Sequence, residues 1–281
     1  MKKTMFLLSG LAMSLATTAQ VKTPQLSPSA EIEQTVGLTE FKVEYYRPSL
    51  RGREMHKEII PFDKNWRFGA NKNTTISFDT PINFGGKDVK SGTYAMYAVP
   101  GQKEWKITLY SETENWGLPE KWEEGKVVAE ILVPVKKNKN SVETFTISFD
   151  NLDVNHFDLM IQWGNTNLSI KVKLPTAELT EASIKATMNG KPSDRDCYSA
   201  ASYYLNANKE LDNGLKYIDK AIEMNEDAPH YYIRNKALIL KAMGNDKEAI
   251  ESAKLALVKA TADENEDYIL KYQELIKEWS K

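Results

Sequence analysis

The chain has 281 residues, of which 41% are hydrophobic and 27% are charged, a composition typical of a globular protein with one large domain or two ordinary ones. Its 37 basic and 39 acidic side chains leave a formal net charge of −2. A mildly acidic chain has no general attraction for nucleic acid or for anionic membranes, so we predict neither as a partner.

The N-terminus has the three parts of a secretory signal peptide. Lys2 and Lys3 form a positive start, an apolar run follows from Met5 to about Ala16, and small residues end the segment at Ala19. The apolar run is shorter than the roughly 20 residues that cross a bilayer as a helix. We predict cleavage after Ala19, a short linker over residues 20–28 and a periplasmic or secreted protein with no later membrane span.

Residues suited to metal binding or nucleophilic catalysis are few. Cys197 lies in a helical pattern and is predicted to be a buried structural residue. The three histidines, His56, His156 and His230, are far apart and share no ligand spacing. No nucleophile elbow, phosphate loop or dinucleotide motif occurs. We therefore assign no catalytic residue, no metal site and no cofactor.

The pattern over residues 29–174 has a period of two. Short runs rich in Val, Ile, Thr and aromatic residues alternate with polar ones, as in "EFKVEYY", "TYAMYAV" and "FDLMIQW". Turn residues such as Gly85-Gly86 and Pro100-Gly101 separate these runs. Eight to ten short strands with close turns predict an antiparallel β-sandwich domain over residues 29–174.

From residue 175 to 281 the period changes to that of amphipathic helices. Two segments align at a constant shift, matching Gly214, Ile218 and Ala221 with Ala249, Ala253 and Ala256. This pattern resembles the tetratricopeptide repeat, whose period is about 34 residues. Two repeats are few for a free-standing solenoid, so we expect the helices to pack on the sandwich or on a partner. Two interpretations stay open: a groove for a protein or peptide, and a lid that stabilises the sandwich.

The connection from Tyr46 to Phe78 is rich in arginine and asparagine. Arginine is the side chain best suited to holding a carboxylate or phosphate through two parallel hydrogen bonds. A tryptophan in the same stretch offers a flat surface for stacking. These residue types predict a site for a small polar or anionic ligand, formed by Arg47, Arg53, Trp66, Arg67 and Asn71.

A structural interpretation of the same residues is also open, and the residues taken alone favour it slightly. Trp66 then closes one end of the core, and Arg67 is buried beside a carboxylate, since a buried arginine needs a partner. Gly69 occupies a backbone position with positive φ, and Asn71 bonds its own backbone in a turn. The suggested carboxylate partners of Arg67 are Glu44, Glu54 and Asp63.

Several short motifs of the β half occur in a fixed order. They are Arg47-Pro48-Ser49, Gly52-Arg53, Trp66-Arg67, Gly69-Ala70-Asn71, Gly92-Thr93-Tyr94 and Glu104-Trp105. Together they resemble the domain of unknown function DUF2911 over about residues 27–174. The resemblance implies a secreted protein of Bacteroidetes-type bacteria, often with a helical repeat tail, and it implies no activity. Phe68 departs from the pattern, because a small polar residue is common there.

The sequence thus favours a non-enzymatic, exported binding module. Its ligand is a small polar or anionic molecule at the arginine-rich corner, or a protein partner on the helical repeat. The alternative is a hydrolase of envelope glycans or peptides, which requires an acid–base pair beside Trp66 and Arg67 in a deep cleft.

Overall fold

A computed structural model describes residues 23–281. The chain divides into two compact units, one ending at Leu174 and the other comprising Pro175–Lys281. The first is an antiparallel β region and the second is α-helical, which confirms the predicted fold class. The predicted signal peptide and the first residues of the predicted linker lie outside the described residues.

Within the described part of the β unit the chain forms ten strands. They are β1 (Ser29–Val36), β2 (Thr39–Tyr46), β3 (Thr74–Phe78), β4 (Ile82–Phe84), β5 (Lys87–Val89), β6 (Gly92–Val99), β7 (Glu104–Tyr110), β8 (Val127–Pro134), β9 (Lys136–Asp153) and β10 (His156–Lys173). They form a six-stranded sheet in the order β1-β2-β3-β6-β7-β8 and a four-stranded sheet in the order β5-β4-β10-β9. All strand pairs are antiparallel.

The two sheets pack face to face because each strand alternates apolar and polar residues. In β2, Phe41 and Val43 are buried while Lys42 and Glu44 point to the opposite face. Phe41 meets Phe157 of β10 in the other sheet, with ring centroids 4.8 Å apart. One aromatic-rich core therefore lies between the sheets, and the polar face of the six-stranded sheet lies outside it.

The second unit consists of six helices. They are α1 (Thr176–Met188), α2 (Asp194–Ala207), α3 (Leu211–Glu223), α4 (His230–Ala242), α5 (Asp246–Ala262) and α6 (Glu266–Trp279). The side chain of Ser193 caps α2, and Gly244, with φ of +82°, lies in the turn between α4 and α5.

Small residues let these helices approach closely. A Cβ added to Gly214 would lie 3.2 Å from Tyr204 Cβ, and the alanines on one face of α5 are buried. Tyr198 of α2 stacks on Tyr232 of α4, with ring centroids 4.6 Å apart. Cys197 is buried in α2, as predicted. The repeat assignment itself stays a prediction. Among the helices of residues 23–281, none has both the length and the hydropathy that crossing a bilayer demands.

Candidate functional site

The 27-residue connection between β2 and β3 holds all five residues predicted to bind a ligand. Arg47, at its start, reaches the four-stranded sheet. Its Nε donates to the carbonyl oxygen of Phe145 at 3.0 Å, and its Nη2 donates to Thr146 Oγ1 at 2.7 Å. Arg47 therefore ties the end of β2 to β9 and has a structural role.

Trp66 is a core residue, with 9% of its surface exposed. Its indole stacks on Trp163 at a centroid distance of 5.7 Å and meets Trp105 and Phe145 edge to face. Its Nε1 donates to the carbonyl oxygen of Gly69 at 3.0 Å. With its ring covered by aromatic side chains and its donor satisfied, Trp66 fits the structural interpretation.

Arg67 is half-buried without a carboxylate. Its Nη1 donates to the carbonyl oxygen of Asn71 at 2.9 Å, and none of the ion pairs within residues 23–281 includes an arginine. The suggestion of Glu44, Glu54 or Asp63 as its partner was wrong. Glu44 is bound to Lys42, and Glu54 to Lys57.

The backbone from Trp66 to Thr74, here called the Trp66 corner, is tightly folded. A Cβ added to Gly69 would lie 2.9 Å from the carbonyl oxygen of Tyr46, so no larger residue fits there without a backbone shift. Phe68 is fully buried with φ of +57°, which is uncommon for a bulky residue. The Thr74 hydroxyl donates to the Phe68 carbonyl oxygen and holds this conformation.

The outer polar groups of this connection bind the chain's own N-terminal segment, residues 25–28. Arg51 Nη2 donates to the Leu26 carbonyl oxygen (2.7 Å), and the Arg47 backbone nitrogen donates to the Pro28 carbonyl oxygen (2.9 Å). Asn71 Nδ2 donates to Gln25 Oε1 (3.2 Å) and to the Ser27 carbonyl oxygen (3.4 Å). Part of the predicted linker is therefore fixed on the β unit, and it occupies groups that the sequence assigned to a ligand.

Arg53 differs from the other four residues because it borders an open cavity, here called the Arg53 cavity. The cavity has a volume of about 550 Å³ and an apolar lining of Leu50, Met55 and Phe62. Its polar lining includes Arg53, Glu54, His56, Lys57, Ser141, Asn165 and Thr166. Its volume lies within the range of small-molecule pockets, although it is more open and more polar than most of them.

Irregular backbone builds this cavity. Arg51 and Gly52 have φ of +52° and +76°, and one π-helical turn follows over Met55–Ile59. On the opposite wall, β10 shifts register against β9 on both sides of Gly164. Bulges and π-turns of this kind redirect side chains and are frequent at functional sites.

His56 is held in one tautomer at the cavity wall. Its ring stacks on Phe62 at a centroid distance of 4.0 Å, and its Nδ1 lies 3.1 Å from the carbonyl oxygen of Ile60. Because a carbonyl oxygen only accepts, Nδ1 carries the proton. Burial lowers the pKa of His56 below its ordinary value, so the neutral ring leaves Nε2 as an acceptor at neutral pH.

The sequence reasoning missed His56 and Lys57 as cavity residues, and it missed Trp116. His56 was considered only as a metal ligand, although it follows Arg53 by three residues. Trp116 lies between β7 and β8 with 72% of its surface exposed. The only available signal for it was the short "NWG" motif, which has the same Asn-Trp start as the buried Trp66.

A search of curated proteins and a search of solved structures each gave no match to the chain. A comparison with protein families gave one described as "Protein of unknown function (DUF2911)", matching residues 27–172. That range is 146 of the 281 residues, more than half of the chain, and it includes the Trp66 corner and the Arg53 cavity. The chain therefore belongs to the DUF2911 family.

Proposed function

We propose that the β unit is a non-enzymatic binding module that takes a small polar ligand with an anionic group into the Arg53 cavity. The observation that carries this proposal is the fixed guanidinium of Arg53. Its Nε donates to the carbonyl oxygen of Leu50 and its Nη2 to that of Ser49, both at 2.9 Å. Two backbone carbonyls thus hold a charged side chain at the cavity wall before any ligand arrives.

Arg53 retains donors for a ligand. A guanidinium has five N–H groups, and the two backbone contacts use two of them. The remaining N–H groups suit the planar oxygen pair of a carboxylate or phosphate. Because the side chain is already ordered, it loses little conformational entropy when a ligand binds.

The neighbouring side chains define the rest of the ligand. Lys57 also lines the cavity, but Glu54 binds its ammonium group at 2.7 Å and raises its pKa, so Arg53 is the main cationic group for the ligand. His56 Nε2 accepts a hydrogen bond from a ligand hydroxyl or N–H group. The surfaces of Leu50 and Phe62 cover a short apolar segment. The favoured ligand therefore combines one anionic group, one donor group and a small hydrocarbon part.

The alternative of a hydrolase has less support. It required an acid–base pair beside Trp66 and Arg67, but the Trp66 indole is enclosed by Trp163, Phe145 and Trp105. In the Arg53 cavity, the Glu54 carboxylate is engaged by Lys57 at 2.7 Å. An exposed carboxylate held in an ion pair is a poor general acid at neutral pH.

The site of action and the partner of the helices belong to the same proposal. The signal-like N-terminus supports action after export, in the periplasm or outside the cell. The helical unit is proposed to bind a protein or peptide partner, on the support of its repeat-like pattern. Secretion of an epitope-tagged protein, with N-terminal sequencing of the exported form, tests the first statement: the predicted start is Gln20.

Thermal-shift titration tests the binding proposal. The purified protein is screened with citrate, glutamate and glucose 6-phosphate, and at least one compound should raise the Tm of the wild type. Arg53→Gln should remove this rise. Arg51→Gln is the matched control, because Arg51 is an exposed arginine two residues away whose guanidinium donates to Leu26 instead. Equal responses of wild type and Arg53→Gln would contradict the proposal.

A further inference from the structure

We propose a second binding site, for an uncharged oligosaccharide chain, on the outer face of the six-stranded sheet beside Trp116. This site is independent of the Arg53 cavity. It rests on three features: two adjoining cavities on one sheet face, hydroxyl side chains in the lining of both, and an exposed tryptophan that follows a residue anchored to the second cavity.

The outer face of β1, β2 and β3 is a long polar surface. Glu44 of β2 lies opposite Glu31 of β1 and Thr75 of β3, which places all three side chains on one face. Two cavities of about 530 Å³ and about 460 Å³ lie along this face. Lys42 separates them, because its Nζ binds both Glu31 and Glu44 at 3.1 Å and 2.9 Å.

The length of this surface favours a chain over a single sugar. Both cavities are lined by residues of β2, an eight-residue strand that spans about 26 Å at roughly 3.3 Å per residue. Open cavities arranged along one strand suit an extended ligand. A compact ligand would occupy only one of them.

Hydroxyl side chains lie among the charged residues of both cavities. The first cavity presents Thr35, Ser77 and Thr93, and the second presents Ser29 and Thr75. Short hydroxyl side chains both donate and accept, as sugar hydroxyls do. These groups can exchange hydrogen bonds with a row of sugar hydroxyls.

The charges on this face argue against an anionic ligand. The positive charges of Lys42 and Lys72 are bound by carboxylates of Glu31, Glu44 and Glu114. Further carboxylates line the first cavity, at Glu33, Glu40 and Asp79. Excess negative charge repels acidic glycans, phosphates and nucleic acid. A neutral chain pays no such penalty.

The residue before Trp116 is anchored beside the second cavity. The backbone nitrogen of Asn73, which lines that cavity, donates to the Asn115 carbonyl oxygen at 3.2 Å, and the Asn115 nitrogen donates to Asn73 Oδ1 at 3.1 Å. Asn115 Nδ2 also donates to Tyr97 OH at 3.3 Å. Trp116, the next residue, thus starts from an anchored position while its ring stays 72% exposed.

An exposed indole on an anchored loop suits a sugar ring. The indole offers a flat apolar face with one polar N–H, and it loses little conformational entropy on binding. The C–H face of a pyranose is apolar while its edge carries hydroxyls. Trp116 is the only one of the six tryptophans that is exposed; the other five are buried or half-buried, and all six lie within residues 23–281.

Arg67 acts as a positioning residue for this loop. A Cβ added to Gly117 would lie 3.1 Å from Arg67 Nη1 and 3.6 Å from its Cζ, so the backbone after Trp116 rests close to the guanidinium. Gly117 has φ of +109° and its carbonyl oxygen accepts from Tyr97 OH at 3.4 Å. Arg67 of the Trp66 corner therefore lies against the backbone of the loop that carries Trp116.

Affinity gel electrophoresis in laminarin, dextran or xyloglucan tests the proposal, with tryptophan fluorescence as a second readout. At least one neutral glycan should retard the protein, shift its emission to shorter wavelength and reduce iodide quenching. Trp116→Ala should lose the retardation at least tenfold in apparent affinity with an unchanged Tm, and Ser77→Arg should lose it without touching the loop. Leu132→Ala, an exposed apolar control on β8, and Arg53→Gln should bind as the wild type.

Three outcomes would overturn the assignment. The first is no retardation by any of the neutral glycans. The second is equal retardation of the wild type and Trp116→Ala. The third is binding of polygalacturonate or of chitosan oligomers in place of neutral chains, which would identify a charge-driven surface. If Arg53→Gln loses the response to the anionic ligand but still binds the glycan, the two sites are independent.

Discussion

The connection between β2 and β3 contains two regions of similar composition and opposite character. In the Trp66 corner, the indole is covered by aromatic rings, and Arg67 donates to the carbonyl oxygen of Asn71 in the same loop. In the Arg53 cavity, the arginine is also held by backbone carbonyls, but its surroundings are open and carry Lys57 and His56. The comparison teaches that residue type alone does not mark a ligand site. What matters is whether the remaining donors face filled or open space.

The largest expected effect on the free energy of unfolding comes from a substitution in the Trp66 corner. Trp66→Ala should lower the free energy of unfolding by about 3–5 kcal/mol, because it leaves a large cavity among Trp163, Trp105 and Phe145. Urea unfolding measures the change. Trp116→Ala is the control, because an exposed side chain contributes within about 0.5 kcal/mol. Equal small losses for both variants would show that the corner is not part of the core.

Gly69→Ala should give the next largest loss, about 1–3 kcal/mol of unfolding free energy. The added methyl would meet the Tyr46 carbonyl oxygen, a backbone atom that cannot rotate away. Gly125→Ala is the matched control, since a Cβ there meets nothing within 4 Å. If both variants unfold at the same urea concentration as the wild type, the tight packing of the corner is contradicted.

These two variants also mark the limit of what the sequence could predict. The alternation in "EFKVEYY" was enough to predict β2, since one face of each strand is buried. Trp66 is buried because it packs against Phe145 and against Trp163, which is almost one hundred residues later in the chain. The local sequence therefore could not distinguish the buried Trp66 from the exposed Trp116. Likewise, Arg67 was expected to need a carboxylate, whereas a carbonyl oxygen four residues ahead satisfies one of its donors.

His56, in the wall of the Arg53 cavity, should make the free energy of unfolding depend on pH, with a smaller effect than the two substitutions above. Its folded pKa lies below its ordinary value of 6.5 because burial disfavours the charged ring. The unfolded chain therefore binds the proton more readily, and the free energy of unfolding falls as the pH drops from 6.5 towards the folded pKa. About one pH unit above 6.5, both states are neutral and this group contributes no further pH dependence.

Urea unfolding at pH 7 and pH 5 checks this sign. His56→Asn places an amide donor where Nδ1 stands and should lose less stability between the two pH values than the wild type does. Some dependence should remain, because burial also lowers the pKa of His230 in the helical unit. A steeper loss in the variant would contradict the buried, neutral state of His56.

The smallest expected effect is the stability change in Arg53→Gln. Arg53 is exposed and its two hydrogen bonds reach backbone carbonyls of the same turn. Its replacement should change the free energy of unfolding by no more than about 1 kcal/mol. The same urea experiment used for Trp66→Ala measures it. A large loss of unfolding free energy would show that Arg53 has a structural role, as the residues of the Trp66 corner do. The cavity would then lose its main support as a binding site.

The most direct test compares the two arginines in binding. The compound that raises the Tm of the wild type most is titrated calorimetrically into the wild type, Arg53→Gln and Arg67→Gln. Loss of a charged bidentate contact should raise the Kd of Arg53→Gln at least about tenfold, or 1.4 kcal/mol, while Arg67→Gln stays within about twofold. A raised Kd for Arg67→Gln together with a wild-type Kd for Arg53→Gln would contradict the central claim.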